Sequence, residues 1–272
     1  MTYPNIPLPS VIVGGTSGIG AAVATALAAR GGSVVIVGRD VERARLSFAR
    51  HDVEIVHADL SLVSEIEALA HRLADGPALG RLVFTAGMLA KRTWRTPEGN
   101  EANFVVNHVA RRRLTEAWLP RLLAADAPAL GYISAWGDYK RPITDYSTLN
   151  ATSGGGVWAS MQTFLPNDVY FAAVAEAHPT LRVVAFNPGP TRGTQLGERA
   201  HAPLVLRVLQ RVAFPVIASD VGDTATRFVR HLDEAQVGHH FFRKDQEVPA
   251  PSFVRELEHR RGVERADAAV GA

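Results

Sequence analysis

The strongest constraint in this sequence is a rhythm. Short runs rich in valine and isoleucine recur at SVIV (10–13), SVVIV (33–37), VEIV (53–56), RLVF (81–84), LGYI (130–133), LRVVAF (181–186) and HHFF (239–242). The stretches between the first six each carry a helix-length pattern, such as IGAAVATALAAR after the first run and VSEIEALAHRL after the third. Parallel neighbours cannot be joined by a tight turn; the chain must cross over, and the crossover is usually a helix. The repetition therefore predicts an α/β fold, a Rossmann-type doubly wound parallel sheet of seven strands with helices on both faces. No internal repeat, low-complexity tract or linker divides the 272 residues, which read as one domain (1–272) with 1–9 and 262–272 as loose ends. In such sheets ligands sit beyond the carboxyl ends of the strands, so the residues just after each run matter most.

Composition removes several classes of function. There is no cysteine, which excludes disulfides, thiolate catalysis and zinc-thiolate sites. Net charge is only +2, with the arginines distributed along the chain, a poor match to nucleic-acid binding. The one dense basic run, Arg111, Arg112 and Arg113, falls on a predicted helix and is expected on its solvated face. No basic leader precedes an apolar core, and no run of about 18 apolar residues occurs, so no membrane span and a cytoplasmic location are expected. The most apolar stretch, 202–218, is interrupted by Arg207, Gln210 and Arg211; it reads as the amphipathic part of a cap (193–218) over the substrate cleft. His239 and His240 point to opposite faces of a strand, so no shared metal is expected there.

The first strand runs into GGTSGIG (14–20), which opens a helix. Glycines at 14, 18 and 20 allow a sharp turn and bring pyrophosphate against bare N–H groups at a helix N-terminus, where the dipole favours negative charge. Thr16, Ser17 and Ile19 complete this candidate dinucleotide turn. The end of the second strand selects the dinucleotide. An acidic residue about 20 positions beyond the glycines would hold ribose hydroxyls, whereas an arginine would accept a 2′-phosphate. The sequence there is VVIVGRD, and Arg39 favours NADPH/NADP+ over NADH, while Asp40 either caps the next helix or takes the ribose.

GGTSGIG with GRD, HADL (57–60), TAG (85–87), NFVVNHVA (103–110) and NPGPTRGT (187–194) together resemble the short-chain dehydrogenase/reductase family, in particular its retinol-dehydrogenase-like branch. The resemblance covers residues 10 to about 245. It implies that Asp59 and Leu60 flank the adenine, that Ala86 and Gly87 line the cofactor cleft, and that Pro188, Gly189 and Thr191 face the nicotinamide. It also implies an Asn, Ser, Tyr, Lys set in which tyrosine donates a proton, lysine lowers its pKa, serine orients substrate and asparagine maintains a water-linked relay. Val13 replaces a usual threonine, and Phe84 and Thr85 replace the two asparagines of the usual NNAG.

Asn107 matches the family asparagine. Ala135 stands where the family serine belongs, leaving Ser134 one residue early and on the opposite face of the strand. Tyrosine and lysine are missing: the lysines are at 91, 140 and 244, and the residues four before them are Gly87, Trp136 and His240. One alignment frame puts Trp158 and Gln162 in their place; another puts Ser160 and Phe164 there, with a helix starting at Pro166 and Asp168 in its first turn near the cleft. Indole and amide groups do not release protons near neutrality. The candidate residues for the chemistry are therefore Asn107, Ser134, Trp158, Gln162, Asp168 and Tyr139, with Tyr146 a further substitute for the acid. Asp168 also has the plainer role of partner to its helix dipole.

Three functions fit. One is an NADP(H) oxidoreductase acting on an activated C=N, C=O or C=C group of a specialised small molecule, with Trp136 and Trp158 as stacking platforms and Asp138, Asp145 or Asp168 as stabilising charges. The others are a non-redox cyclase, isomerase or dehydratase, and an NADPH-sensing binding protein. The arginine run lies on the helix that forms the subunit contact in many family members, which puts the common tetramer in doubt and leaves a homodimer possible.

Overall fold

The computed structural model describes residues 8–89, 94–135, 145–150, 157–192 and 218–270. Their centre is one sheet in the order β3-β2-β1-β4-β5-β6-β7-β8. The strands are β1 (Ser10–Val13), β2 (Val34–Gly38), β3 (Val53–His57), β4 (Arg81–Phe84), β5 (Ala129–Ile133), β6 (Arg182–Asn187), β7 (Gly238–Arg243) and β8 (Gln246–Val248). The first seven pair in parallel, with Val13 opposite both Val37 and Phe84. Strand β1 is buried along its whole length, as a central parallel strand covered on both faces must be.

The expected seven strands become eight. Strand β8 returns antiparallel to β7 across a tight turn in which Lys244 takes a positive φ of 54°. Its sequence, QEV, is too short and polar to register as an apolar run.

Helices cover both faces. On one side α1 (Gly18–Ala28), α2 (Val41–Ser47) and α8 (Val221–Glu234) bury Ile12, Val23, Leu27, Ile36, Phe186 and Phe228. On the other, α3 (Val63–Arg72), α5 (Ala110–Leu123), α7 (Leu165–Ala177) and α9 (Leu257–Ala268) enclose Leu82, Phe84, Phe104, Trp118, Tyr132 and Phe171. A short α4 (Ala102–Phe104) leads through a π-helical segment, Val105–Val109, into α5. Such a bulge re-aims side chains within an otherwise regular helix, and Asn107 lies inside it. Pro166 sits in the first turn of α7, separating it from α6 (Val157–Gln162), because proline suits a first turn but not an interior.

Residues 262–270 are not loose. Helix α9 buries Val263 and Ala266, with Val270 just beyond it, and Asp267 pairs with buried His108 and with Arg112. No helix among the described residues is long and apolar enough to cross a membrane. The cap at 193–217, Trp136, Asp138, Tyr139 and Lys140 lie outside the described residues, as does the 1–7 end.

Candidate functional site

The sheet order reverses between β1 and β4, and a cavity of about 580 Å³ opens at the carboxyl ends of the strands there. One wall is the glycine turn: Gly14, Thr16, Ser17, Gly18, Ile19 and Gly20 all line the cavity. Gly14 has φ +96°, and a Cβ added to it would lie 2.3 Å from the Ala86 nitrogen. A Cβ on Gly20 would lie 2.2 Å from the Gly14 carbonyl oxygen. Both contacts are with backbone, so only glycine lets β1, α1 and the end of β4 close on one another and leave a cradle of bare amides.

Arg39, Asp59, Leu60, Ala86, Gly87, Pro188, Gly189 and Thr191 line the same cavity. Asp40 does not compete with Arg39 for it: its carboxylate caps α2, accepting from the Arg43 N–H at 3.1 Å. Arg39 is exposed at the rim. Asp59 is fixed by the Ser61 hydroxyl and N–H at 2.8 and 3.0 Å. Gly189, at φ +63°, donates its N–H to the Asn187 side chain at 2.9 Å, and Thr191 pairs with Ser219 across the neighbouring bridge.

Asn107 is fully buried and does not line the cavity. Its side chain accepts from Met88 N–H at 2.7 Å and donates to the Met88 carbonyl and to Thr163 Oγ1, both at 2.8 Å. It clamps the loop after β4 to the end of α6. From α6 and its exit, Met161 and Phe164 line the cavity; Gln162 does not. The Phe164 ring also lies within about 3.2 Å of where a Gly87 Cβ would be. Trp158 belongs to α6, and its side chain lies outside the described residues. Tyr146 is remote from the cleft: its hydroxyl meets His259 Nδ1 at 2.8 Å and its ring packs against Gly262 of α9. Asp145 caps the turn beside it.

Three side chains depart from what the sequence suggests. Arg111 is not solvated but buried, at 1% exposure, donating to the carbonyls of Ile133 and Ala86 at 2.8 and 2.9 Å while its guanidinium lies 5.5 Å from the Phe164 ring centre. Arg112 pairs with Asp267 and Glu116, and Arg113 with Glu67, so the run is consumed by packing. Ser134 lines the cavity, and its hydroxyl reaches Asp168 from the same face as Tyr132 two residues earlier, because its N–H continues the pairing with Phe186 past the end of β5. Asp168 is no mere dipole partner. It is buried, accepts from Tyr132 Oη at 2.8 Å and from Ser134 Oγ at 3.1 Å, and burial pushes its pKa up to about 7 against the lowering effect of Tyr132, Ser134 and Arg111. His239 Nε2 meets Tyr132 Oη at 2.9 Å, whereas His240 pairs with Glu247, so the two histidines do diverge. Arg243 lines the cavity beside Asn187.

Residues 10–133 match the family described as short chain dehydrogenase. Over these residues, somewhat under half of the chain, it is similar to that family. Dehydrogenase/reductase SDR family member 12 of Bos taurus is 29% identical over 209 residues, 73% of this chain and 66% of the relative. Retinol dehydrogenase 13 of Homo sapiens is 33% identical over 130 residues, 44% of this chain and 39% of the relative. The matches thus span less than two thirds of these relatives' lengths. A short-chain dehydrogenase from Sphingobium yanoikuyae, solved in complex with NADPH, shares the fold with a TM-score of 0.66 at 23% identity, covering 96% of each chain.

The glycine turn, Arg39, Asp59, Leu60, Ala86, Gly87, Pro188, Gly189 and Thr191, all expected from motif and spacing, line one cavity. Arg111, Tyr132, His239 and Arg243 were missed as site residues. An arginine run on a helix normally marks a solvated face, and nothing in the spacing of 111, 132, 168 and 239 shows that they meet.

Proposed function

We propose that the protein is an NADP(H)-dependent oxidoreductase that reduces an activated C=O, C=C or C=N group of a small molecule without the tyrosine and lysine of its family. The observation that carries this reading is convergence: the glycine turn, Arg39, Asp59, Ala86, Pro188 and Thr191 meet in one cavity that Ser134 also lines. A dinucleotide fits these residues. Its pyrophosphate would lie on the bare amides between Gly14 and Gly20, and its 2′-phosphate within reach of Arg39, which Asp40 leaves uncontested. A bound nicotinamide supplies hydride. Its relative from Sphingobium yanoikuyae, crystallised with NADPH, supports the choice of cofactor at the level of the fold.

The charge of the cleft narrows the acceptor. Arg111 and Arg243 both line it, and positive charge in a partly enclosed site opposes a cationic iminium while stabilising negative charge that develops on oxygen. A neutral acceptor, such as an enone, quinone or ketone, suits the site better. Met161 and Phe164 give it an apolar wall, which suits a flat substrate body.

The test is isotopic. NADPH carrying deuterium at the transferable C4 position is incubated with the full chain and a panel of enones, quinones, ketones and cyclic imines. Deuterium bonded to carbon in a product is the expected result. Saturation of the protein by NADPH with no transfer to any acceptor would overturn the oxidoreductase reading in favour of a non-redox reaction in the same cleft.

A further inference from the structure

Behind the cleft lies a line of buried polar groups that no cofactor contact explains. It starts at Ser134, which lines the cavity, passes to Asp168 at 3.1 Å, continues to Tyr132 at 2.8 Å and ends at His239 at 2.9 Å. Ser134, Asp168 and Tyr132 are each at most 4% exposed. Burying a carboxyl group beside Tyr132 and Ser134 is costly unless its ionisation is suppressed or matched by donors.

We propose that Ser134 delivers the proton that completes reduction in this cleft, and that Asp168, backed by Tyr132 and His239, reloads it. The inference rests on the oxidoreductase reading above and supplies the acid that the missing tyrosine leaves wanting.

The two oxygens of Asp168 divide the work. Oδ1 accepts from Tyr132 and, at 3.1 Å, from Ser134; Oδ2 lies 3.4 Å from Ser134 Oγ. With its proton on Oδ2, Asp168 becomes a donor to Ser134 Oγ, and the serine hydrogen turns to the cleft. As the acceptor carbon gains hydride, the π-electron pair moves to the far atom of the double bond. That atom takes the proton from Ser134 Oγ, whose O–H bond breaks while Asp168 Oδ2 passes its own proton to Oγ. The acceptor is reduced by two electrons, the nicotinamide dinucleotide is oxidised by two, and Asp168 is left as carboxylate. Solvent restores its proton after product leaves.

The charged state of the surroundings suits this cycle. Arg111 of α5, Tyr132 and Ser134 of β5 and its end, and His239 of β7 are the groups that bear on Asp168 or its partners. Burial, with the charges of His240 and Arg255, lowers the His239 pKa to about 3, so it stays neutral and places no cation beside the carboxyl. Asp168, raised to about 7, holds a proton at neutral pH and can release it, with Arg111 tempering the resulting negative charge.

The experiment uses the full chain with NADPH and a neutral enone or quinone from the panel above, in single turnovers across pH 5 to 9, alongside a carbon-13 NMR titration of labelled aspartate carboxyl groups. Wild-type rates should fall as pH rises through about 7, the range in which Asp168 loses its proton. Asp168→Asn and Ser134→Ala should each lower the rate about 100-fold and abolish that break in the profile. A slower variant whose pH break is unmoved would mark Asp168 as structural and overturn the relay. If no acceptor is turned over, the oxidoreductase reading fails and the titration alone decides: an Asp168 signal still protonated at pH 6, and displaced by Ser134→Ala, supports the relay, whereas a carboxylate ionised at pH 5 overturns it.

Discussion

Arg111→Met is expected to destabilise the protein by about 3 kcal/mol, one of the largest effects of any single change considered for this site. Methionine fills similar volume, so packing is largely kept, but the carbonyls of Ile133 and Ala86 lose the donors that now reach them at 2.8 and 2.9 Å. Each unmatched buried acceptor costs about 1–3 kcal/mol. Those carbonyls close the ends of β5 and β4 around the cleft, so their loss loosens the wall that carries Ser134. A second consequence is electrostatic. Arg111 lowers the Asp168 pKa, and without it the carboxyl should hold its proton to higher pH, moving the break in the rate profile upward. Chemical denaturation measures the first effect; an unchanged midpoint would show that the two carbonyl contacts contribute nothing. Arg111→Lys should not restore the wild-type value, because one ammonium lacks the planar fork that serves both carbonyls.

The second large effect is on the pH dependence of stability. In the folded protein Asp168 keeps its proton up to about pH 7, against an ordinary carboxyl value of 3.8. Between these limits the folded state binds one more proton than the unfolded state, so this group's contribution to stability falls as pH rises, by about 1.4 kcal/mol per unit. His239 acts in the opposite sense. Its pKa drops from 6.5 to about 3, so the unfolded state binds the extra proton in that window and stability rises with pH. The two slopes offset each other between roughly pH 4 and 6.5. Asp168→Asn removes only the first, and its amide can still accept from Tyr132 and Ser134. Relative to wild type, the variant should therefore gain stability from pH 4 to 7, on the order of 4 kcal/mol in all. Parallel curves for the two proteins would show that Asp168 is already ionised when the protein folds.

These effects arise where sequence and structure part company, for physical reasons. Strand and turn positions depend on local patterns, so the strand-helix rhythm and the glycine turn are legible in the sequence, and the turn lies where the cavity opens. Asp40 followed the same logic, since a helix N-cap is a local role. Asp168 and Arg111 differ because their roles depend on burial by distant segments. An aspartate in a first turn and an arginine in a basic run each have a common local explanation, and both explanations are displaced here by contacts across 34 and 22 residues of sequence. Helix α9 was unreadable for a related reason. LEHRRGVERADA is mostly polar, and besides the burial of Val263 and Ala266 it is held by the pairing of Asp267 with His108, 159 residues away, and with Arg112.

The proposed function requires this cleft to hold a nicotinamide dinucleotide selected by its 2′-phosphate. Calorimetric titration of the purified full chain with NADPH and with NADH tests it most directly, with Arg39→Ala as the companion variant. Wild type should bind NADPH saturably and NADH at least about tenfold more weakly, and in Arg39→Ala that difference should largely disappear, as loss of one charge-assisted contact of about 1.5–3 kcal/mol requires. A wild-type protein that binds neither dinucleotide would contradict it.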